Sequence, residues 1–206
     1  MKRSARTGRM SIAMRLSRGA SRMTTAGPSE LNGGLYCARG EILRQIWIPS
    51  QVLCEDGFIK AMIVTDFFTK PDDLSKIVRA PGDTHCFNAY TRPTDVVAHE
   101  KRLMIGRELN RVLFDMLWNR SDGVEAGAFF RWLEEREPRW FDDRVLPRLG
   151  ARGWRKGLLL KPLRSSRQVA TKAPVYMWPI AVVRLCFNAV VILLAARSIK
   201  RGELKW

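Results

Sequence analysis

The 206-residue sequence has few of the residues from which catalytic and metal sites are built. It contains two histidines and four cysteines, and no two cysteines have the C-x-x-C spacing of a zinc site. His85, Cys86 and His99 could supply three metal ligands, but residues of these types more often pack or lie at the surface. A phosphate-binding glycine loop and a nucleophile elbow are also absent. We therefore predict that the protein is not an enzyme and holds no metal or catalytic cofactor.

Acidic residues are missing from residues 1–28, which carry seven Lys or Arg. The segment is rich in Ser and Thr, and it lacks an apolar run of the length that a secretory signal needs. This composition is typical of a mitochondrial transit peptide and predicts a mitochondrial protein. The alternative is a basic arm that binds RNA or an acidic subunit.

The formal net charge of +16 lies mostly outside the central part of the chain. Residues 29–138 contain 14 basic and 17 acidic residues, whereas residues 139–174 contain 10 basic and two acidic residues. A nucleic-acid-binding domain normally carries its positive charge on the folded body. The observed distribution favours contact with an anionic membrane surface instead.

Residues 29–138 are predicted to form a small, mostly helical body. Capping residues and apolar residues at helical spacing predict helices over 94–119 and 124–137, and a short helix over 72–79 follows a proline. Residues 41–48 and 58–68 are rich in Ile, Val and Phe. These two segments could pair as a β-hairpin with a turn at Glu55-Asp56-Gly57 between them, with helix as the open alternative.

The longest apolar run, residues 175–196, is a candidate transmembrane helix, with a buried hairpin helix of a soluble domain as the alternative. Its 22 residues would form about 33 Å of helix, enough to cross a hydrocarbon core of about 30 Å. A short basic tail, residues 197–206, follows it. The predicted fold class is mainly α, or α+β with one short hairpin, with a single C-terminal transmembrane helix.

Arg184 lies near the middle of this apolar run, and Asn188 follows four residues later on the same helical face. Ala181 and Ala195 extend that face with small residues, which permit close helix approach. A central Arg costs about 2.5–3.5 kcal/mol of insertion free energy, so the helix needs a partner. We predict that Arg184, Asn188 and Ala181 contact other subunits of a membrane complex, with a bound cardiolipin as a further partner of Arg184.

Residues 139–174 interleave Trp and Leu with Arg and Lys, as segments that lie on anionic lipid do. The residues predicted to contact the membrane surface are Arg148, Arg152, Trp154, Arg155, Lys156, Lys161, Tyr176 and Trp178. The alternative is an RNA-contacting stretch in which Trp140, Phe141 and Trp154 stack on bases.

The pattern Arg184-Leu185-x-x-Asn188 resembles the Arg helix of ATP synthase subunit a, which reads R-L-x-x-N. In that family the Arg faces the rotor ring and separates two proton half-channels. The resemblance implies these roles for Arg184, and it implies that Asn188 lines the same channel. The match covers three positions of one helix, whereas the family has several membrane helices.

These features predict a non-catalytic accessory subunit of a large mitochondrial inner-membrane complex of oxidative phosphorylation, either ATP synthase or a respiratory-chain complex. The positive-inside rule, applied to the flanks of residues 175–196, places the body on the matrix side. The alternative is a mitochondrial ribosomal or RNA-binding protein, in which residues 175–196 would be buried against protein. Nucleic acid is a partner only in that case. A second alternative, from the resemblance, is a reduced proton-channel subunit with Arg184 as the channel arginine.

Overall fold

The computed structural model describes residues 37–78, 90, 92–120, 124–155 and 178–204. Within these ranges the chain is helical and contains no strand. The prediction of a mainly α fold is confirmed, and the C-terminal helix has the length and composition of a membrane-spanning helix. The alternative with a β-hairpin is wrong.

Six α-helices lie in the described ranges: α1, Gly40–Gln45; α2, Glu55–Val64; α3, Pro93–Trp118; α4, Ala126–Arg136; α5, Leu146–Arg155; and α6, Trp178–Arg201. A 3₁₀ turn, Leu74–Lys76, follows α2, and a π-helical turn, Phe141–Val145, leads directly into α5. The helices predicted over 94–119 and 124–137 are confirmed as α3 and α4. The short helix predicted over 72–79 is reduced to the 3₁₀ turn.

A helix, α2, forms where a strand was the first expectation. Glu55 and Asp56 lie in its first turn, where the helix dipole favours acidic side chains. Phe58 and Met62 are four residues apart and completely buried, so they face the core from one side of a helix. The apolar residues of this segment therefore form the buried face of a helix.

The core is built around α3. Its buried residues Ile105, Leu109 and Leu113 recur every four positions and form one continuous face. α6 packs chiefly against α3, and it also contacts α5. The same core includes Trp140, Leu149, Ala195, Ile199 and Leu204. Residues on both sides of the predicted boundary at position 138 thus belong to one core.

The segment between α1 and α2 is held tightly against α4. Trp47 Nε1 donates a hydrogen bond to one carboxylate oxygen of Glu134 at 2.8 Å, and the backbone N–H of Ser50 donates to the other at 3.2 Å. On α4, Gly127 lies so close to the carbonyl oxygen of Gln45 that a Cβ atom would overlap it. This close approach requires a glycine at position 127.

The substitution Gly127→Ala is expected to lower the free energy of unfolding by about 1–3 kcal/mol, the usual cost of overpacking. The added methyl group meets a backbone atom, which cannot rotate away. Gly150→Ala is the matched control, because Gly150 also lies in a helix but has nothing within 4 Å of an added Cβ. The control should gain about 0.5–1 kcal/mol. Urea unfolding in mild detergent, followed by circular dichroism, measures both, and equal effects would contradict the close approach.

Three consecutive residues after α2 have left-handed backbone conformations. Asp66, Phe67 and Phe68 have φ angles of 53°, 59° and 64°, a region that residues other than glycine rarely adopt. The hydroxyl of Thr65 donates to the carbonyl oxygen of Ala61 at 2.6 Å and accepts from the backbone N–H of Phe68 at 2.9 Å. These hydrogen bonds, and burial of the Phe68 ring, offset the conformational cost of the turn.

Asp66 links this turn to two lysines. Its carboxylate lies 2.5 Å from Lys70 Nζ and 3.8 Å from Lys76 Nζ. The hydrogen bond from Lys70, and then the charge of Lys70, hold the pKa of Asp66 below its ordinary value of 3.8. The ionised form of Asp66 is therefore favoured in the folded state.

The pH dependence of stability follows from this lowered pKa. Because the folded pKa of Asp66 is below the unfolded one, its stabilising effect is present above pH 3.8 and is lost as the pH falls through the lowered pKa. Asp66→Asn keeps a side chain that tolerates left-handed backbone. The variant should be less stable than the wild type at neutral pH, and the difference should shrink in strong acid. Urea unfolding curves at a series of pH values measure this, and a constant difference would contradict it.

Candidate membrane-binding surface

Helix α6 is long and apolar enough to cross a membrane, judged by length and composition. Its 24 residues correspond to about 36 Å, and the most apolar 18-residue window within Val182–Arg201 has a mean hydropathy of 1.9. It is the one helix with these properties in the described part of the chain. Of its apolar window, 28% is buried inside the protein, so the helix belongs partly to the core.

One side of α6 packs against the body, a term that from here on means helices α1 to α5. The buried residues on this side are Val191, Ile192, Ala195, Ser198 and Ile199. Their spacing of three and four residues is that of a core-facing helix in a globular protein. The C-terminal half of α6 is therefore docked on α3 and α5.

The opposite side of α6 exposes large apolar side chains. We name this the apolar surface, and its seven residues are Trp178, Val182, Val183, Leu185, Val190, Leu193 and Leu194. At about 100° per residue, all seven fall within one half of the helix circumference. Val183 is 62% exposed and Leu193 is 66% exposed. Contiguous apolar patches of this kind mark protein or membrane interaction sites.

Arg184 and Asn188 lie on the docked side of α6, opposite the apolar surface. Arg184 is exposed and Asn188 is half-buried, and the same face continues into Ala195, which is completely buried in the core. The predicted common face is therefore present, but α6 uses its C-terminal part to pack on its own body. The side chain of Ala181 lies outside the described residues.

The residues predicted to contact lipid fall into three groups. Arg148 is exposed on α5, and Trp178 is 55% exposed at the start of α6. Positions 152, 154 and 155 lie in α5, but the side chains of Arg152, Trp154 and Arg155 are not described. Lys156, Lys161 and Tyr176 lie outside the described residues. The lipid contacts of all these residues remain predictions.

Two aromatic residues of the 139–174 stretch belong to the core. Trp140 is 2% exposed and Phe141 is 8% exposed, and their rings meet edge to face with centroids 5.7 Å apart. Val145 and Leu149 are completely buried beside them. Trp140 and Phe141 are therefore not available for stacking on bases, and the first part of this stretch does not present its bulky residues to lipid.

The titratable groups that could bind a metal are dispersed in the described residues. No group of three His, Cys, Asp or Glu residues comes together there, and His99 Nδ1 lies 2.8 Å from the Tyr90 hydroxyl. His85 and Cys86 lie outside the described residues. Burial, and then the nearby Asp56 carboxylate, raise the pKa of the Cys54 thiol, whereas Cys37 and Cys186 are exposed.

A groove between α3 and the end of α6 was not anticipated from the sequence. Its volume is about 570 Å³, and the cations that line it are Lys101, Arg197 and Arg201. The spacing of Arg197, Arg201 and Leu194 along α6 is a local signal that could have indicated part of it. The contribution of Lys101 depends on tertiary packing, because its Nζ donates to Ser198 Oγ at 3.4 Å across 97 positions of sequence.

Comparison of the chain with protein-family models, curated proteins and solved structures gives no match. The resemblance of Arg184-Leu185-x-x-Asn188 to the Arg helix of ATP synthase subunit a thus remains a prediction from the sequence.

Cys186 gives a direct test of the apolar surface, because it is exposed and lies within the arc of those seven residues. When the protein is bound to phosphatidylcholine–phosphatidylglycerol vesicles, Cys186 should be protected from a membrane-impermeant maleimide. In denaturant it should react completely. Mass spectrometry of a Cys86→Ser protein reports the labelling of each remaining thiol.

Two other cysteines serve as internal controls. Cys37 is exposed outside α6 and should react in vesicles, whereas Cys54 is buried with a raised pKa and should react only in denaturant. Equal labelling of Cys186 and Cys37 in the presence of vesicles would show that lipid does not cover the apolar surface.

Proposed function

We propose that the protein is a non-catalytic accessory subunit of a large mitochondrial inner-membrane complex of oxidative phosphorylation, attached through α6. The observation that carries the proposal is the apolar surface. A chain that exposes seven large apolar side chains along one side of a helix needs a lipid or protein surface to cover them. Assembly and positioning of neighbouring subunits is the role that such a surface serves.

The connection between α5 and α6 limits how α6 can enter a membrane. α5 and the C-terminal half of α6 contact each other, so the body lies at the C-terminal end of α6. If α6 crossed the membrane in this arrangement, residues 156–177 would have to cross it as well. This segment carries Lys156, Lys161, Arg164, Arg167 and Lys172, and each cation at the bilayer centre costs about 2.5–3.5 kcal/mol.

We therefore favour oblique insertion of the N-terminal half of α6, the part before Val191, which we call the free half. The contacts of the C-terminal half with the body stay intact. The apolar surface runs from Trp178 to Leu194, about 24 Å of helix, and it faces the acyl chains. Arg197, Lys200 and Arg201 follow on the same side, at the level of the lipid phosphates. Arg184 faces away from the acyl chains, toward the headgroups or a charged group on a partner subunit. The positive-inside rule applies to spanning helices, so the matrix-side orientation belongs to the spanning arrangement, and oblique insertion leaves the side of the membrane to be determined by the partner subunits.

A matched pair of charge substitutions tests the attachment in organelle membranes. Val183→Glu combined with Leu193→Glu places two carboxylates on the apolar surface. Val78→Glu combined with Leu74→Glu is the control, because these residues are 83% and 49% exposed and lie far along the chain from α6. After solubilisation in mild detergent and native electrophoresis, the wild type and the control should co-migrate with a respiratory-chain complex or ATP synthase. The amount of the α6 variant that co-migrates with the complex should be lower by roughly tenfold or more, because two buried charges cost several kcal/mol.

The alternative of a mitochondrial ribosomal or RNA-binding protein is supported by one observation. The C-terminal half of α6 is buried against the body, as that alternative requires. The burial of Trp140 and Phe141 removes two of its three stacking residues. Co-migration of the wild type with ribosomal subunits, with unchanged binding by the α6 variant, would replace the membrane proposal with this one.

A further inference from the structure

We propose that the groove between α3 and α6 binds the headgroup of an anionic phospholipid, with an acyl chain of that lipid lying along the apolar surface. The proposal rests on the membrane attachment proposed above, and it assigns a lipid class and a residue set to that attachment. Two features carry it: the charge of the groove walls, and the continuity of the groove with exposed apolar side chains.

The groove has the charge expected of a phosphate site. Lys101, Arg197 and Arg201 line it together with one acid, Glu203, so its formal charge is +2. Arg201 lies 3.6 Å from Glu203 in an exposed ion pair, in which the side chains are 51% and 61% exposed. Lys101 donates to the hydroxyl of Ser198, a buried residue. The groove thus carries cations from two helices, Lys101 of α3 and Arg197 and Arg201 of α6, which is the charge arrangement that a bound phosphate favours.

Most of the remaining lining residues are apolar. Pro93, Val97 and Ala98, at the beginning of α3, line the groove together with Leu194 of α6, and Thr94 is a further polar residue in its lining. Glycerol and the first carbons of an acyl chain would lie against such walls, whereas a free inorganic phosphate would leave them uncovered. This composition favours a lipid over a soluble anion.

Leu194 connects the groove to the apolar surface. It lines the groove and is also 40% exposed. Val190 and Val183 lie four and eleven residues before it, on the same face of α6, and are 49% and 62% exposed. A chain that leaves the groove at Leu194 therefore continues along Val190 and Val183 toward Trp178. The polar and apolar parts of a phospholipid match the polar and apolar parts of this path.

Vesicle binding of the full-length protein tests the proposal. Co-sedimentation is measured with vesicles of phosphatidylcholine alone and with vesicles of phosphatidylcholine and cardiolipin at four to one. The groove variant is Arg197→Gln with Arg201→Gln. The control is Arg39→Gln with Arg139→Gln, which removes the same charge from side chains that are 82% and 80% exposed and also form exposed ion pairs.

The expected result is a selective loss. The groove variant should bind the cardiolipin vesicles roughly 10- to 30-fold more weakly than the wild type, the effect of two cations near an anionic surface, and bind phosphatidylcholine vesicles as the wild type does. The control should change the two affinities less than about twofold. Glu203→Gln, which removes the acid from the groove, should strengthen cardiolipin binding by roughly fivefold. An equal loss in the groove variant and the control would overturn the proposal.

Failure of the attachment and failure of the groove give different results. If the wild type binds neither kind of vesicle, the membrane attachment is wrong. The groove is then tested separately by calorimetry with monomeric dihexanoyl-phosphatidylglycerol, where loss of binding in the groove variant alone would support it. If inorganic phosphate binds the groove as tightly as this lipid, the lipid assignment is overturned in favour of a soluble anion.

Discussion

The packing of the C-terminal half of α6 against α3 and α5 is the constraint on which the proposed surface depends. Val191, Ala195 and Ile199 are almost completely buried there, and a buried Val or Ile side chain stabilises a fold by about 1.5–3 kcal/mol. This contact fixes which side of α6 remains exposed and in which direction the free half projects. It also brings Lys101 beside Ser198. The same contact therefore forms the groove and leaves the apolar surface exposed.

The elements that sequence reasoning predicted well are those with strong local signals. α3 has apolar residues at helical spacing, and its predicted bounds of 94–119 lie within one residue of the observed Pro93–Trp118, although no side-chain hydrogen bond caps its start. The segment of α2 was ambiguous in sequence because Ile, Val and Phe occur in strands and in buried helices alike. The distinguishing signal was present: Glu55 and Asp56 precede Phe58 and Met62, as expected for a helix start followed by one buried face. Reading these acids as a turn led to the wrong hairpin.

The candidate site could be predicted only in part. The sequence of one helix shows which residues share a face, but it does not show which element packs against that face. Arg184, Asn188 and Ala195 do share a side of α6, as their spacing requires. Which side packs on the body depends on α3, and Ala195 is buried there. Trp140 and Phe141 show the same limit, since their basic neighbours indicated a surface stretch while tertiary packing placed both rings in the core.

The position of Arg184 on the docked side of α6 determines how much its charge costs in membrane attachment. In a spanning helix its cost nearly cancels the gain from the apolar residues. In oblique insertion Arg184 faces away from the acyl chains, and the six aliphatic residues of the apolar surface contribute roughly −2 to −4 kcal/mol on the same scale. That gain alone gives weak, reversible binding, below the roughly 5.5 kcal/mol that a single myristoyl anchor supplies. Stable attachment needs a second attraction, and the cations that follow Leu194 on the same side of α6 lie where anionic headgroups would supply it.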